Sequence, residues 1–241
     1  SSFSDGLQIR VIRQENKGAA SARNAGSAQA QGKYLAFTDD DCQPHPDWLR
    51  HLAGSFRQFP EAAVTGRTVN RLEANIYASA AQLLIDYLYA YYNASPQNAR
   101  FLTSNNFALP ADAFHALGGF RTEFSAAGGE DREFCDRWLS KGLPLVYSPD
   151  AIVSHFHFMT MKQYLKQQYN YGKGAFHYNR LRSARDGGGM RIEPLRFYIG
   201  MFQYPSRKHT RLRAIVFDLL LAASQGMNLA GFVFEHAAFR M

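Results

Sequence analysis

The stretch Tyr34-Leu35-Ala36-Phe37-Thr38-Asp39-Asp40-Asp41 decides the fold. Its first five residues form an apolar run too short for a helix and bounded like a buried strand, and the run ends abruptly in three carboxylates. Residues 18–31, rich in Ala, read as a helix closed by Gly32, and residues 7–12 alternate like a strand. Downstream, Pro46-Asp47-Trp48 opens a helix through Phe59, residues 62–65 return as a strand, and residues 73–92 form a long apolar-faced helix. Residues 101–109 read as extended, 111–117 and 130–141 as helical, and 143–147 and 151–157 as extended. Strands alternating with helical segments predict an α/β domain over residues 1–160, a mixed sheet flanked by helices.

Beyond Thr160 the pattern changes. Met161, Tyr164, Leu165 and Gln168 follow helical spacing, and Asp186-Gly187-Gly188-Gly189 makes a break. Between residues 162 and 213 stand 12 Lys/Arg against only Asp186 and Glu193, so an anionic partner should meet this part of a chain whose net charge is +7. Residues 215–234 are mostly apolar, with Asp218, Gln225 and Asn228 as the strongly polar exceptions. Such a segment can span a bilayer, lie in its interface or pack on protein. Residues 161–241 are thus a basic, helical C-terminal region. Cys42 and Cys135 are too few for a disulfide framework, and the residues after Ser1 lack a secretory-signal layout, which points to a reducing, cytoplasmic setting.

Three features carry chemistry. Asp39, Asp40 and Asp41 lie where a buried strand ends, the place where open α/β sheets bind ligands, and a divalent cation would relieve their mutual repulsion. Taken alone, the triplet suits equally well a solvated turn whose Asp41 or Asp47 caps the next helix. Glu130 and Asp131 open a helix, where acids commonly complement the macrodipole but where Asp131 can also serve as a general base. His155 and His157, two apart in an extended run, project to one face, and a ring nitrogen there can complete a metal site.

The ordered set Asn16-Lys17-Gly18-Ala19-Ala20-Ser21-Ala22-Arg23-Asn24-Ala25-Gly26, Phe37-Thr38-Asp39-Asp40-Asp41, Ser104-Asn105-Asn106-Phe107-Ala108, Gly118-Gly119-Phe120, Gly129-Glu130-Asp131 and His155-Phe156-His157 resembles the family 2 glycosyltransferases of the GT-A fold. The resemblance runs from about Leu7 to Arg180. It implies a metal-dependent, inverting transfer of a sugar from a nucleotide donor to an acceptor hydroxyl. Asp39 and Asp41 would form the DxD element, Asp39 near the donor ribose and Asp41 on the metal, with Asp39 and His155 completing the Mn²⁺ or Mg²⁺ site. Asn16, Gly18, Arg23, Asn24, Asp40 and Asn106 would line the donor, Arg23 facing the nucleotide or its diphosphate. Asp131 would be the catalytic base, with Glu130 beside it. The family also implies a strand and helix ahead of Ser1, without which these 241 residues would be inactive.

The expected partners are a nucleotide-sugar donor, a saccharide or lipid-linked acceptor, and an anionic membrane surface on the cytoplasmic side, consistent with polysaccharide or glycolipid assembly. Two other classes use some of the same features. A nucleotidyltransferase also employs clustered aspartates but releases pyrophosphate, and a non-catalytic basic module would bind nucleic acid with a steep salt dependence. Nucleic acid is not expected here, since no RNA-binding aromatic motif is recognisable.

Overall fold

The computed structural model describes residues 8–124 and 128–240. The chain runs α1 (Ala19–Gln29), β1 (Tyr34–Thr38), β2 (Cys42–Pro44), α2 (Trp48–Gln58), β3 (Ala63–Asn70), α3 (Ile76–Tyr92), β4 (Asn106–Pro110), α4 (Ala111–Ala116), α5 (Glu130–Ser140), β5 (Leu145–His155), α6 (Met161–Asp186), α7 (Leu195–Lys208) and α8 (Arg211–Arg240). The five strands form one mixed sheet in the order β1-β4-β3-β5-β2. Strand β4 is antiparallel to both β1 and β3, and β5 is parallel to β3, so β1, β3 and β5 point the same way. Their carboxyl ends, at Asp39, Arg71 and Phe156, share one edge of the sheet.

Side-chain alternation sorts the two faces. Leu35 and Phe37 of β1 and Phe107 and Leu109 of β4 face α5, where Phe134 and Trp138 complete an aromatic core with Phe114 and Phe120. Phe37 stacks on Phe107 at 4.8 Å between ring centroids. Ala108 and Val64 point the other way, onto Trp48, Leu52 and Phe56 of α2. Fully burying residues of this size contributes roughly 1.5–3 kcal/mol each, which makes these two layers the main source of the domain's stability.

Three local expectations change. Residues 8–12 carry the alternation of a strand but are exposed and form no strand pairing among the described residues, because alternation without a neighbouring strand leaves the backbone groups to water. Leu7 lies outside the described residues. The two runs expected at 143–147 and 151–157 are a single strand, β5, whose register against β3 shifts between Gly66 and Arg67 to absorb Pro149, Asp150 and Ala151. The extended segment at 101–109 contributes only Asn106–Pro110 as strand.

After the sheet the chain becomes helical. Thr160 and Gln163 form a reciprocal cap that starts α6, and Gly187, with φ +67°, ends it. Helix α7 in the basic stretch was not announced by composition; its buried residues Phe197, Met201 and Pro205 recur every four positions. Helix α8 lays Ala214, Phe217, Leu221, Ser224 and Gly231 against its neighbours in a three-and-four spacing. Its opposite side, including Ile215, Val216, Leu219, Leu229 and Val233, is exposed. The helix is long and apolar enough to cross a membrane, with a mean hydropathy of 1.4, yet it is also one wall of a helical layer built with α3, α6 and α7.

Candidate active site

The strand-end aspartates divide their work. Asp39, Asp40 and Asp41 occupy a tight turn in which Cys42 N donates to Asp39 O at 3.1 Å, so successive side chains diverge. Asp40 is exposed. Asp39 turns toward α1, where Arg23 Nη2 donates to its Oδ1 at 2.6 Å. Asp41 turns toward β5, because β2 pairs antiparallel with that strand and sets Cys42 opposite His155. As a result Asp41 Oδ2 lies 3.2 Å from His155 Nε2 and 3.0 Å from His157 Nδ1, and the two imidazoles stack at 5.4 Å.

Burial alone would raise the Asp41 pKa, but His155 and His157 outweigh it and hold the carboxyl below its ordinary value. One carboxylate oxygen and two ring nitrogens therefore converge with unspent ligand capacity. Cys42 Sγ sits 3.7 Å from Asp41 Oδ1, and burial and Asp41 push the free thiol up to about 12. Asp41, Cys42 and His155 offer ligand atoms within 4.8 Å of one another, with His157 Nδ1 3.0 Å from Asp41 Oδ2, so the donor set at Asp41 and the two imidazoles fits a divalent cation; Asp39, expected on the metal, is paired with Arg23.

Arg23 links this edge to the second acidic pair. Its Nη1 donates to Glu130 Oε1 at 3.2 Å while Nη2 holds Asp39, and its guanidinium lies 5.8 Å from the Phe120 ring. Burial would lower the Arg23 pKa, and Asp39, Glu130 and Asp131 reverse that, so the side chain is a permanent cation bridging two carboxylates. Nearly buried, it fixes the spacing between the end of β1 and the start of α5. Arg23, expected to face the donor nucleotide or its diphosphate, is held in this structure between Asp39 and Glu130.

Asp131, in the first turn of α5, accepts a hydrogen bond from Arg132 N at 2.7 Å. Burial, with Glu130 next to it, pushes its pKa up to about 7, against the opposing pull of Arg23 and of backbone N–H donors. A carboxylate with that affinity for protons is suited to accept one near neutral pH.

The other predicted residues take different places. Asn16 Oδ1 accepts from Gly18 N at 3.1 Å, forming the turn that leads into α1, and Gly18 adopts φ +87° there. Asn24 exchanges two hydrogen bonds with the Phe120 backbone, 2.8 and 2.9 Å, and so pins the 118–120 turn to α1. Asn106 is not brought to the cleft: it is fully buried, accepting from Trp48 Nε1 at 2.8 Å and donating to Arg67 O and Ala151 O at 2.9 Å. All of its capacity is spent locking β4 to α2 and to the bulge of β5, as a buried amide requires.

Sequence reasoning missed two side chains near the base. Arg132 lies over Tyr92 at 4.5 Å and near Phe101 and Tyr178, donating to Arg100 O, so the residue after Asp131 ties α5 to α3 and α6. Tyr171 of α6 packs against Gly128, two residues before Glu130. The only local signal for the latter was the unusual Tyr171-Gly172-Lys173-Gly174 inside a helix-period segment.

Residues 2–118 match the glycosyl transferase family 2 model, and residues 90–162 match the model for the N-terminal domain of galactosyltransferase. The chain is 29% identical over 164 residues to a pre-mycofactocin glycosyltransferase of Mycobacterium tuberculosis, covering 66% of this chain and 34% of that protein. It is 26% identical over 176 residues to glycosyltransferase AglE of Haloferax volcanii, covering 70% and 54%. To a glucosyl-dolichyl phosphate glucuronosyltransferase of the same organism it is 23% identical over 151 residues, covering 58% and 48%. The chain thus spans between a third and about half of these relatives. In fold it resembles the mannosyltransferase PcManGT from Pyrobaculum calidifontis, solved with GDP-Man and Mn²⁺, at a TM-score of 0.53 and 15% identity, covering 91% of this chain and 68% of that one.

Proposed function

We propose, because this chain belongs to glycosyl transferase family 2, that it carries the catalytic core of an enzyme transferring a sugar from a nucleotide-sugar donor to an acceptor hydroxyl with inversion. The observation that carries this reading is the single edge on which the Asp41–His155–His157 cluster, the Arg23 bridge and the Asp131 carboxylate meet. Asp131 takes the proton of the acceptor hydroxyl as its oxygen bonds to the anomeric carbon, and the bond from that carbon to the nucleoside diphosphate breaks, its electron pair leaving with the diphosphate. A divalent cation held by Asp41, His155 and His157 would supply positive charge against the leaving diphosphate. The mixed oxygen and imidazole set favours Mn²⁺ over Mg²⁺, which prefers oxygen alone. Arg23 keeps the Asp39 turn and the Glu130 turn at working distance, and Asp39 remains the side chain placed for the donor ribose.

The test is release of nucleoside diphosphate from a panel of nucleotide sugars in the presence of Mn²⁺. Turnover should vanish with chelator, return with added Mn²⁺, and fall by at least about a hundredfold in Asp41→Ala. Release of pyrophosphate, or an Asp41→Ala enzyme still stimulated by Mn²⁺, would overturn the assignment.

The location follows from the helical layer. Exposed Leu195, Ile199 and Phe202 of α7 and exposed Leu212, Ile215, Val216 and Leu219 of α8 lie among Arg196, Arg207, Lys208, Arg211 and Arg213. An apolar face rimmed by cations suits the cytoplasmic leaflet, where each Lys or Arg contributes ~1 kcal/mol, and we place the protein there, acting on a lipid-linked or membrane-delivered acceptor. Sedimentation with vesicles containing phosphatidylglycerol is expected, and charge reversal of Arg207, Lys208 and Arg211 should weaken it at least about tenfold. Equal partition onto purely zwitterionic vesicles would count against the electrostatic part, and no sedimentation against the whole placement.

A further inference from the structure

Helices α6 and α8 run side by side in the same direction. Tyr164 Oη donates to Leu220 O at 3.1 Å near their starts, and His177 Nε2 meets Glu235 Oε1 at 2.8 Å farther along. Both starts are tied to the edge that carries the site. Helix α6 begins four residues after His157, and the link is pinned where Phe156 N donates to Asp41 O at 2.9 Å and Asn75 Nδ2 donates to Met159 O at 2.8 Å. Arg213, in the first turn of α8, donates to Glu73 O at 3.2 Å, just past the end of β3.

An open groove of about 660 Å³ lies over the first turns of α6, within the range of small-molecule sites. Met161, Leu165 and Tyr169, spaced by four on one face of α6, line it together with Met227 of α8, Lys162 and Lys166. Farther along, a methyl group at Gly172 would lie 1.9 Å from Asn228 O and one at Gly231 2.0 Å from Tyr169 O, so the backbones touch and leave no space between the helices there. The flexible thioethers of Met161 and Met227 adapt to a hydrocarbon chain. Lys162 and Lys166 are exposed, and a lysine that lines an apolar groove lays its methylene stem along it and keeps the ammonium in water. From Met161 to Arg185 the sequence holds no acidic residue. Of the two acids in α8, Asp218 has a buried carboxylate oxygen and Glu235 is held by Lys173 and His177, so the groove is a positive one. Between it and the Asp41–His155–His157 cluster stand Phe156 and Phe158, both exposed, the latter to 66%.

We propose that this groove binds the lipid of the acceptor, a saccharide joined through phosphate to a single hydrocarbon chain. The chain lies along Met161, Leu165, Tyr169 and Met227, the phosphate meets Lys162 and Lys166, and the saccharide extends past Phe158 toward the cluster. This rests on the glycosyl-transfer reading and names its acceptor class. Walls of one side-chain row on α6 and one Met on α8 suit one chain rather than the two of a membrane phospholipid.

Dodecyl phosphate below its micelle concentration is the probe. In calorimetric titration wild type should bind it saturably, with inorganic phosphate and dodecyl maltoside at least about tenfold weaker, since each supplies only part of the contact. Lys162→Glu with Lys166→Glu reverses the charge at two exposed positions, and Met227→Trp fills the groove; each change should weaken binding at least about tenfold. No saturable binding by wild type, or wild-type affinity in both variants, overturns the proposal. Dioctanoyl phosphatidylglycerol bound as tightly as dodecyl phosphate would make this a phospholipid site and overturn the acceptor assignment. In turnover with UDP-glucose or GDP-mannose and Mn²⁺, dodecyl phosphate should compete with octyl glucoside and not with the nucleotide sugar. Competition with the nucleotide sugar would place the lipid phosphate at the donor and overturn the proposal. A chain that binds dodecyl phosphate as expected yet releases no nucleoside diphosphate from any donor refutes the reaction and not the groove. One that turns over donor yet binds no dodecyl phosphate refutes the groove and not the reaction.

Discussion

Asp131→Asn is expected to bind Mn²⁺ and nucleotide sugar as wild type does while transfer falls on the order of 10²–10⁴-fold, the usual contribution of a positioned general base. The substitution keeps the shape of the side chain and its ability to accept from Arg132 N, and it deletes only the capacity to take a proton. The titration sharpens the test. With the Asp131 pKa pushed up to about 7, the active carboxylate form is lost as pH falls through neutrality, so wild-type transfer should rise with pH through this range and level above it. Stability runs the other way. A carboxyl whose folded pKa lies above its unfolded value binds its proton more tightly in the fold, so stability is full at acid pH and declines as pH climbs from the ordinary carboxylate range to about 7. Asn mimics the protonated form, and Asp131→Asn should therefore melt no lower than wild type at pH 8. Near-normal transfer would remove Asp131 as the base; a lower melting temperature at pH 8 would remove burial of its charge as the cause of the shift.

The second large effect is structural and has a built-in control. Gly174→Ala puts a methyl group 1.9 Å from a backbone carbonyl that has no room to yield, so α6 or the 128–129 loop must move, at a cost of ~2 kcal/mol or more despite the better helix propensity of Ala. Gly226, also mid-helix but exposed in α8 with nothing near its missing side chain, should respond with the opposite sign: Gly226→Ala gains ~0.5–1 kcal/mol. Denaturant titrations of the two variants decide the matter. Equal and favourable shifts would mean that α6 does not press on the loop.

Much of the site was readable in one dimension. The apolar run before Asp39, the acids heading α5 and the two-residue spacing of His155 and His157 are local patterns, and each reports where a side chain sits relative to its own strand or helix. Their partners were not readable. Asp41 meets His157 across 116 residues because β2, only three residues long, finds β5 in one register; a shift of one residue would turn Cys42 or Asp40 to the imidazoles instead. The family resemblance placed Arg23 and Asn106 at the donor. The fold instead assigns Arg23 to two carboxylates and Asn106 to an indole and two carbonyls, since a buried cation or amide must satisfy whatever polar groups surround it. Helix α7, and the approach of α6 to the base, likewise depend on contacts between segments far apart in the chain.

By itself, then, the sequence determined the alternation of strands and helices and the chemical inventory at the strand ends, because each follows from short-range periodicity and residue chemistry, and its ordered motifs carried the resemblance to family 2 glycosyltransferases. Tertiary structure alone decided which carboxylate faces the imidazoles, which is tied down by Arg23, and how strongly Asp131 holds its proton. Those outcomes are set by distance, burial and register between remote segments, and electrostatic energy depends on separation in space, not along the chain.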